Sequence, residues 1–275
     1  MKCGSRKNKF YFKLEKMKKY IFPIILITCA TGLIWSCTKK IDLVAPTSTI
    51  DGLAYVKVAQ MSPNFRAVVN GRDSFNVYFN EAKVNGAFLT YGSFFPTTTS
   101  LYAAVRTGSQ VVRMTVNGVN TPDSFNLVGF TKNLKAGTYY SFILTDSLFS
   151  LDPSKQMFIE DNFIRTDTTH YTIRLVHAIP NDSTGKNIDV YSTRLNTNIF
   201  TNVAPGSATQ FITNPYTIIA DTFIVRRTGN PFELCRLSTV ALPIGRERAY
   251  TLIYRGNRGS ATGTKPRSLV YYANQ

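Results

Sequence analysis

The chain of 275 residues carries two histidines, four cysteines and sixteen carboxylate side chains with which to run acid–base, nucleophilic or metal chemistry. The sharpest candidate pair is His177 and Asp189, which stand in the two halves of Thr172 to Tyr191, TIRLVHAIPNDSTGKNIDVY. An earlier copy of that stretch runs from Tyr55 to Tyr78 and holds Gln60 and Asn76 at the matching places. Those amides hydrogen-bond but do not titrate, and they are poor metal ligands beside imidazole and carboxylate. What the two copies share is hydrogen bonding next to a Pro-Asn turn, so Pro63, Tyr78, His177, Pro180, Asp189 and Tyr191 read as a structural signature rather than a catalytic set. His170 lies seven residues before His177, and an odd spacing on one strand points the pair to opposite faces. Catalytic metal sites built from three histidines, or from two and a carboxylate, are therefore disfavoured, and no metal or cofactor is expected.

Other chemical patterns are weak. The chain has no Gly-x-Ser-x-Gly elbow, P-loop, dinucleotide fingerprint or Cys-x-x-Cys pair. Asn181 to Asp189 is rich in oxygen ligands but lacks the EF-hand order. Glu160, Asp161, Asp167 and Asp182 supply carboxylates for glycoside hydrolysis only if the fold sets two of them across a cleft. Tyr91, Phe94, Phe95 with Pro96, and Tyr139-Tyr140, suit stacking on sugars, but in a strand-rich chain such rings more often fill cores and contacts between units. Arg226, Arg227, Arg246, Arg248, Arg255 and Arg258 give the second half a basic end suited to phosphate, lipid headgroups or acidic glycan. No enzymatic activity is expected.

The elements that position these residues are strands. Fifteen Tyr and nineteen Phe, with many Thr and Val, favour them. Period-two segments such as Tyr55-Val-Lys-Val, Phe75-Asn-Val-Tyr-Phe and Tyr140-Ser-Phe-Ile-Leu recur about every ten residues between Gly, Pro and Asn turns. The same order returns in Ile173-Arg-Leu-Val, Ile188-Asp-Val-Tyr and Tyr250-Thr-Leu-Ile-Tyr. The reading is an all-β chain of two tandem antiparallel immunoglobulin-like β-sandwich domains, over 53–146 and 171–275. Residues 147–170 form a connector able to lend an edge strand through Gln156-Met-Phe-Ile.

The N-terminus reads as an address. Lys18-Lys19 precede the apolar run Ile21 to Trp35, too short to span a bilayer, which ends at Ser36-Cys37. Residues 1–36 fit a signal peptide, with Met17 an alternative start, and 37–52 a polar tether. The junction resembles a lipoprotein lipobox of the Bacteroidota type, which implies lipid attachment at Cys37. Ile34 and Trp35 depart from its usual Leu and small residue. The formal charge is +16, of which +7 falls in residues 1–36, where eight Lys/Arg face one Glu. The remaining charge is scattered and names no partner. Lipidation would leave Cys235 as a lone thiol, read as a small buried hydrophobe.

Arg174, His177, Pro180, Asp189, Val190, Tyr191, Pro205, Gly206 and Tyr250-Thr251 together resemble domain-of-unknown-function family 4397, with the first copy degenerate. The resemblance implies a β-sandwich without an assigned activity, frequent as tandem copies in bacterial envelope proteins. The expected protein is thus a lipid-anchored cell-envelope component, at the outer membrane with its side open, having a structural or binding role. Its partners would be the membrane, through the lipid, and an envelope protein or anionic glycan, but not nucleic acid. An envelope glycan hydrolase and an accessory subunit of an envelope assembly are the alternatives.

Overall fold

Two strands on which each half is built, β1 (Leu53–Gln60) and β10 (His170–His177), are buried on both faces. Each therefore needs cover from two sides, and the chain provides it by stacking four sheets. The computed structural model describes residues 52–63, 74–97, 102–116, 126–145, 156–164, 166–179, 187–240, 244–257 and 265–274, and those residues hold seventeen strands and no helix. The architecture is all-β, in two sandwiches.

In the first sandwich the inner sheet has the order β4 (Phe94–Phe95), β1, β8 (Tyr139–Leu144), β9 (Met157–Glu160), and β5 (Ala103–Arg106) also pairs with β1. Its outer sheet runs β3 (Ala82–Lys83), β2 (Phe75–Phe79), β6 (Gly108–Val116), β7 (Asn126–Leu134). The second sandwich repeats this order. Its inner sheet is β13 (Ile212–Pro215), β10, β16 (Ala249–Arg255), β17 (Ser268–Ala273), and its outer sheet is β12 (Thr197–Val203), β11 (Ile188–Ser192), β14 (Thr222–Arg227), β15 (Glu233–Ser238). The stretch expected as a connector supplies β9, which pairs antiparallel with β8 as β17 does with β16.

Among the described strands the ladders are antiparallel with one exception in each sandwich: β1 runs parallel to β8, and β10 to β16. A parallel neighbour requires the chain to return to its starting end before it pairs. Here the whole outer sheet serves as that crossover.

Period-two alternation then sorts the side chains. Ala54, Val56 and Val58 of β1 join Tyr140, Phe142 and Leu144 of β8 and Phe75 and Val77 of β2 in the first core. Tyr171, Ile173 and Leu175 of β10 join Tyr250, Leu252 and Tyr254 of β16 and Val190 of β11 in the second. The opposite faces of the two inner sheets meet in a third cluster: Ala59, Met61, Ile143 and Met157 from the first sandwich against Val176, Ala178, Ile253 and Tyr272 from the second. Ile50–Gln275 consequently forms one compact unit.

Candidate functional site

The same alternation that puts Ala59 and Val176 into the seam puts Lys57 and Arg174 there, two residues earlier on each strand. They are 0% and 2% exposed. Lys57 is the register partner of Ser141 across β1 and β8, and Arg174 of Thr251 across β10 and β16, so the two sandwiches present matched basic and hydroxyl side chains to each other. Arg174 donates through Nε to Thr251 Oγ1 at 2.9 Å, and through Nη2 to Ser141 Oγ at 3.3 Å, Tyr272 Oη at 3.2 Å and the Asp161 carboxylate. Asp161, 4% exposed, follows β9. It also accepts from Ser141 Oγ at 2.6 Å and from Tyr102 Oη at 2.7 Å. Asn274 occupies the equivalent place after β17. It donates to Tyr102 Oη at 2.6 Å and accepts from Thr251 Oγ1 at 2.8 Å. Each cation also lies over an aromatic ring of its own sandwich, Lys57 Nζ 5.6 Å from the Tyr102 centroid and the Arg174 guanidinium 4.8 Å from that of Phe211.

The electrostatics follow from the geometry. Burial works against the Arg174 charge, and only the Asp161 carboxylate together with the Tyr272 and Tyr102 hydroxyls outweighs it, leaving its pKa raised. Burial pulls Lys57 down to about 8, against the opposing pull of Asp161. The Tyr102 and Tyr272 hydroxyls are pushed up, first by burial and then by Asp161, so both stay protonated donors. Such a network fastens two surfaces, and the carboxylate at its centre is enclosed rather than set across a cleft. The signal for it in the sequence was the recurrence of a basic residue at one repeat position, Lys57 and Arg174, on strands otherwise apolar.

The signature residues occupy other places. His177 and Asp189 are not brought together: His177 points from the inner sheet toward the second core, its ring 5.1 Å edge-on from Tyr254, whereas Asp189 lies on the outward face of the outer sheet. His177 does what Gln60 does. Its backbone N–H donates to Ser207 O, and its carbonyl accepts from Gly206 N, as Gln60 pairs with Ser93 O and Gly92 N. His177 Nδ1 accepts from Ile179 N at 3.4 Å, and Gln60 Oε1 from Ser62 N at 2.8 Å. Gly206 and Gly92, at φ 70° and 82°, make the turn that brings each N–H back. Asp189 accepts from Asn202 N at 2.8 Å and from Thr228 Oγ1 at 2.7 Å, pinning β12 and the end of β14 where the β11–β12 register shifts.

Tyr78 and Tyr191 sit on outward faces under Arg113 and Arg226, with the guanidinium carbons 5.2 and 4.1 Å from the ring centroids. Pro63 accepts from Lys265 Nζ at 2.9 Å, joining the two sandwiches at that end. Cys37 and Pro180 lie outside the described residues, as do Asp182 and Arg258. Of the remaining acidic candidates, Glu160 pairs with Lys135 at 3.3 Å and Asp167 with His170 at 2.8 Å, both exposed. Tyr91, Phe94 and Tyr139–Tyr140 go into packing: Tyr91 beneath Arg255 at 4.6 Å, Phe94 against Tyr272 at 5.5 Å, Tyr139 on Tyr55 at 4.8 Å, and Tyr140 in the first core. Cys235, on edge strand β15, has its thiol pushed up to about 12 by burial and by Glu233, which keeps it unreactive.

Two sandwiches thus spend corresponding residues on the same turns. Residues 54–184 match the family described as Domain of unknown function (DUF4397). That DUF4397 match takes in the first sandwich and β10 of the second. No curated protein matches the chain. A solved structure of DUF1812 proteins from Bacteroides thetaiotaomicron VPI-5482, for which polysaccharide binding has been suggested, aligns with 74% of this chain and 92% of its own at 8% identity and a TM-score of 0.22. A likeness at that level carries no argument about ligand or mechanism.

The strand directions give the two sandwiches two ends. The C-termini of β1, β8, β10 and β16 lie at one end, which the Lys265–Pro63 bond and the Arg255–Tyr91 contact tie together across the seam. The flanks of 64–73, 146–155, 180–186 and 258–264 are there, and those segments fall outside the described residues. Arg226, Arg227 and Arg255 belong to this end, while Arg246 and Arg248 precede β16 at the other, so the basic side chains of the second half are divided between the two.

Proposed function

We propose that this chain is a lipid-anchored cell-envelope protein in which two tandem DUF4397-type sandwiches act as a rigid, non-catalytic binding or structural module. The lipid would be carried by Cys37 after removal of residues 1–36, and the tether 38–52 would hold the sandwiches at the outer membrane. The observation that carries the reading is the use made of the strongest chemical groups. Arg174, Asp161 and Lys57 are consumed in welding one sandwich to the other, which suits a stiff support for the loops at its end. The shared strand order of the two sandwiches supports treating the second as another copy of the first.

Two experiments test it. Cells expressing the full chain are labelled with radioactive palmitate; label should enter the wild type and be lost in Cys37→Ser. Unlabelled wild-type protein would overturn the anchor. Separately, the unit of residues 50–275 is passed over envelope fractions divided into glycan, lipid and protein. Retention without turnover supports a binding module, a retained protein pointing to an assembly subunit and retained acidic glycan to a glycan-binding one. Degradation of a glycan fraction would make the protein a hydrolase and end the non-catalytic reading.

A further inference from the structure

Three aliphatic side chains stand almost fully in solvent at one place on the second sandwich. Ile218 and Ile219, in the connection from β13 to β14, are 87% and 68% exposed, and Val240, just past β15, is 79% exposed. With Tyr216, Tyr171 and Arg194 they line an open cavity of about 340 Å³. Exposed aliphatics scattered singly are ordinary, but three neighbours rimming one hollow are not. Ile164 and Phe232 are also exposed, and neither belongs to this cluster.

The loops that carry them are held in place. Asp221 accepts from the backbone N–H of Arg194 at 2.9 Å and of Thr222 at 2.7 Å, as well as from Ser192 Oγ. Its own N–H donates to Thr239 Oγ1 at 2.6 Å, which ties the 216–221 loop to the end of β15. The exposure of Ile218, Ile219 and Val240 is therefore built into the fold. Beside them Arg246 lies over the Tyr216 ring at 5.1 Å, and Arg246 and Arg248 are exposed, with Glu247 between them. Aliphatic tips beside a tyrosine and arginines form the amphipathic pattern of groups that settle at a bilayer interface, the apolar parts below the headgroups and the guanidiniums among the phosphates.

The position of the patch decides the occupant. It lies at the N-terminal end of β10 and β14, opposite the end tied by Lys265 and Pro63. Gly52 and Leu53 enter β1 at this same end, where Gly137 N donates to Leu53 O. Residues 38–52 extend at most about 50 Å. We propose that the surface of Tyr216, Ile218, Ile219 and Val240, with Arg246 and Arg248, docks on the lipid bilayer and stands the two-sandwich stack on the membrane. The proposal rests on the anchored reading above and adds a second, non-covalent contact to it.

The test uses residues 50–275, which lack both leader and lipid, sedimented with vesicles of phosphatidylcholine alone or mixed with phosphatidylglycerol. The expected result is binding that rises with phosphatidylglycerol and falls with salt. Ile218→Ser/Ile219→Ser should lower the partition coefficient about tenfold, with an unchanged unfolding midpoint because both side chains are exposed. Since Trp35 is the only tryptophan of the whole chain, Ile218→Trp in this unit is a single reporter, and its emission should shift to the blue on adding the mixed vesicles. Absence of wild-type binding together with an unshifted emission, or binding that the double substitution leaves intact, overturns the patch. Palmitate labelling of Cys37 separates the two ideas. Labelled protein whose unit ignores vesicles keeps the anchor and loses the patch, whereas vesicle binding without labelling keeps the patch alone.

Discussion

Lys57 and Arg174 face a single carboxylate, Asp161, in a seam where all three are buried. Removing one partner of a buried ion pair leaves the other uncompensated, at a cost of about 3–5 kcal/mol. Asp161→Asn should therefore destabilise the 50–275 unit by about that much in denaturant titrations. It leaves two cations in the cluster, so Lys57→Met in the Asp161→Asn background should recover part of the loss; strict additivity in the double-mutant cycle would show that the two charges do not communicate. Lys57 also gives the seam a pH dependence. Its folded pKa is lowered to about 8 from 10.5, so above about pH 8 the folded chain releases a proton that the unfolded chain keeps until about 10.5. Stability contributed by this group is flat below pH 8 and rises through that window, with a slope approaching about 1.4 kcal/mol per pH unit. Cys235, with its thiol pushed up to about 12, works the other way once the unfolded thiol ionises near 9, and the raised Tyr102 and Tyr272 do so near pH 10, so the rise is to be read between about pH 8 and 9.5 in a Cys235→Ser background. Lys57→Met should abolish it, and a slope unchanged in that variant would place its origin elsewhere.

At the scale of strands and turns, the two sandwiches predict each other. Gln60 and His177 make the same three kinds of contact beside equivalent glycine turns, so His177→Gln should cost less than about 1 kcal/mol in the unfolding free energy; a loss of several kcal/mol would mean that the imidazole has a role that its counterpart does not. Asp189→Ala removes the acceptor for Asn202 N and Thr228 Oγ1, and should cost about 1–3 kcal/mol in the unfolding free energy without altering retention on any envelope fraction. This equivalence was legible in the sequence, since Pro-Asn, Val-Tyr and the amide-for-titratable exchanges are short-range patterns. Most of the strands were legible too, from alternation, but β3, β4, β12, β13 and β15 were not among those read. The parallel pairing of β1 with β8 was not, because a strand's own residues do not say from which end its neighbour enters. Nor was the seam. Tyr55-Val-Lys-Val reads as one buried and one solvated face, and only a second sheet packed on that second face makes Lys57 a core residue. Asp161 likewise sits among polar neighbours in a connector, and its burial depends on a partner 13 positions on, across the seam.

For the whole molecule, the third apolar cluster changes what a domain means here. Each sandwich has its own core, and on that ground alone the two could unfold separately. Ile143, Met157, Val176, Ile253 and Tyr272 bury apolar surface that neither sandwich can hide without the other, and the Arg174–Asp161 pair would be exposed to the cost of broken partners if they parted. The unit of residues 50–275 should therefore melt in a single transition whose calorimetric and van't Hoff enthalpies agree. Ile253→Asp puts a charge into the seam while leaving the residues of both sandwich cores in place, so the melting curve should split into two transitions of smaller enthalpy, the second sandwich still retaining Tyr171, Leu175, Val190 and Leu252. Two transitions in the wild-type unit would refute the rigid stack. A single transition that persists in Ile253→Asp at lower temperature would instead locate the coupling in the polar network, where Asp161→Asn is the variant that should split it.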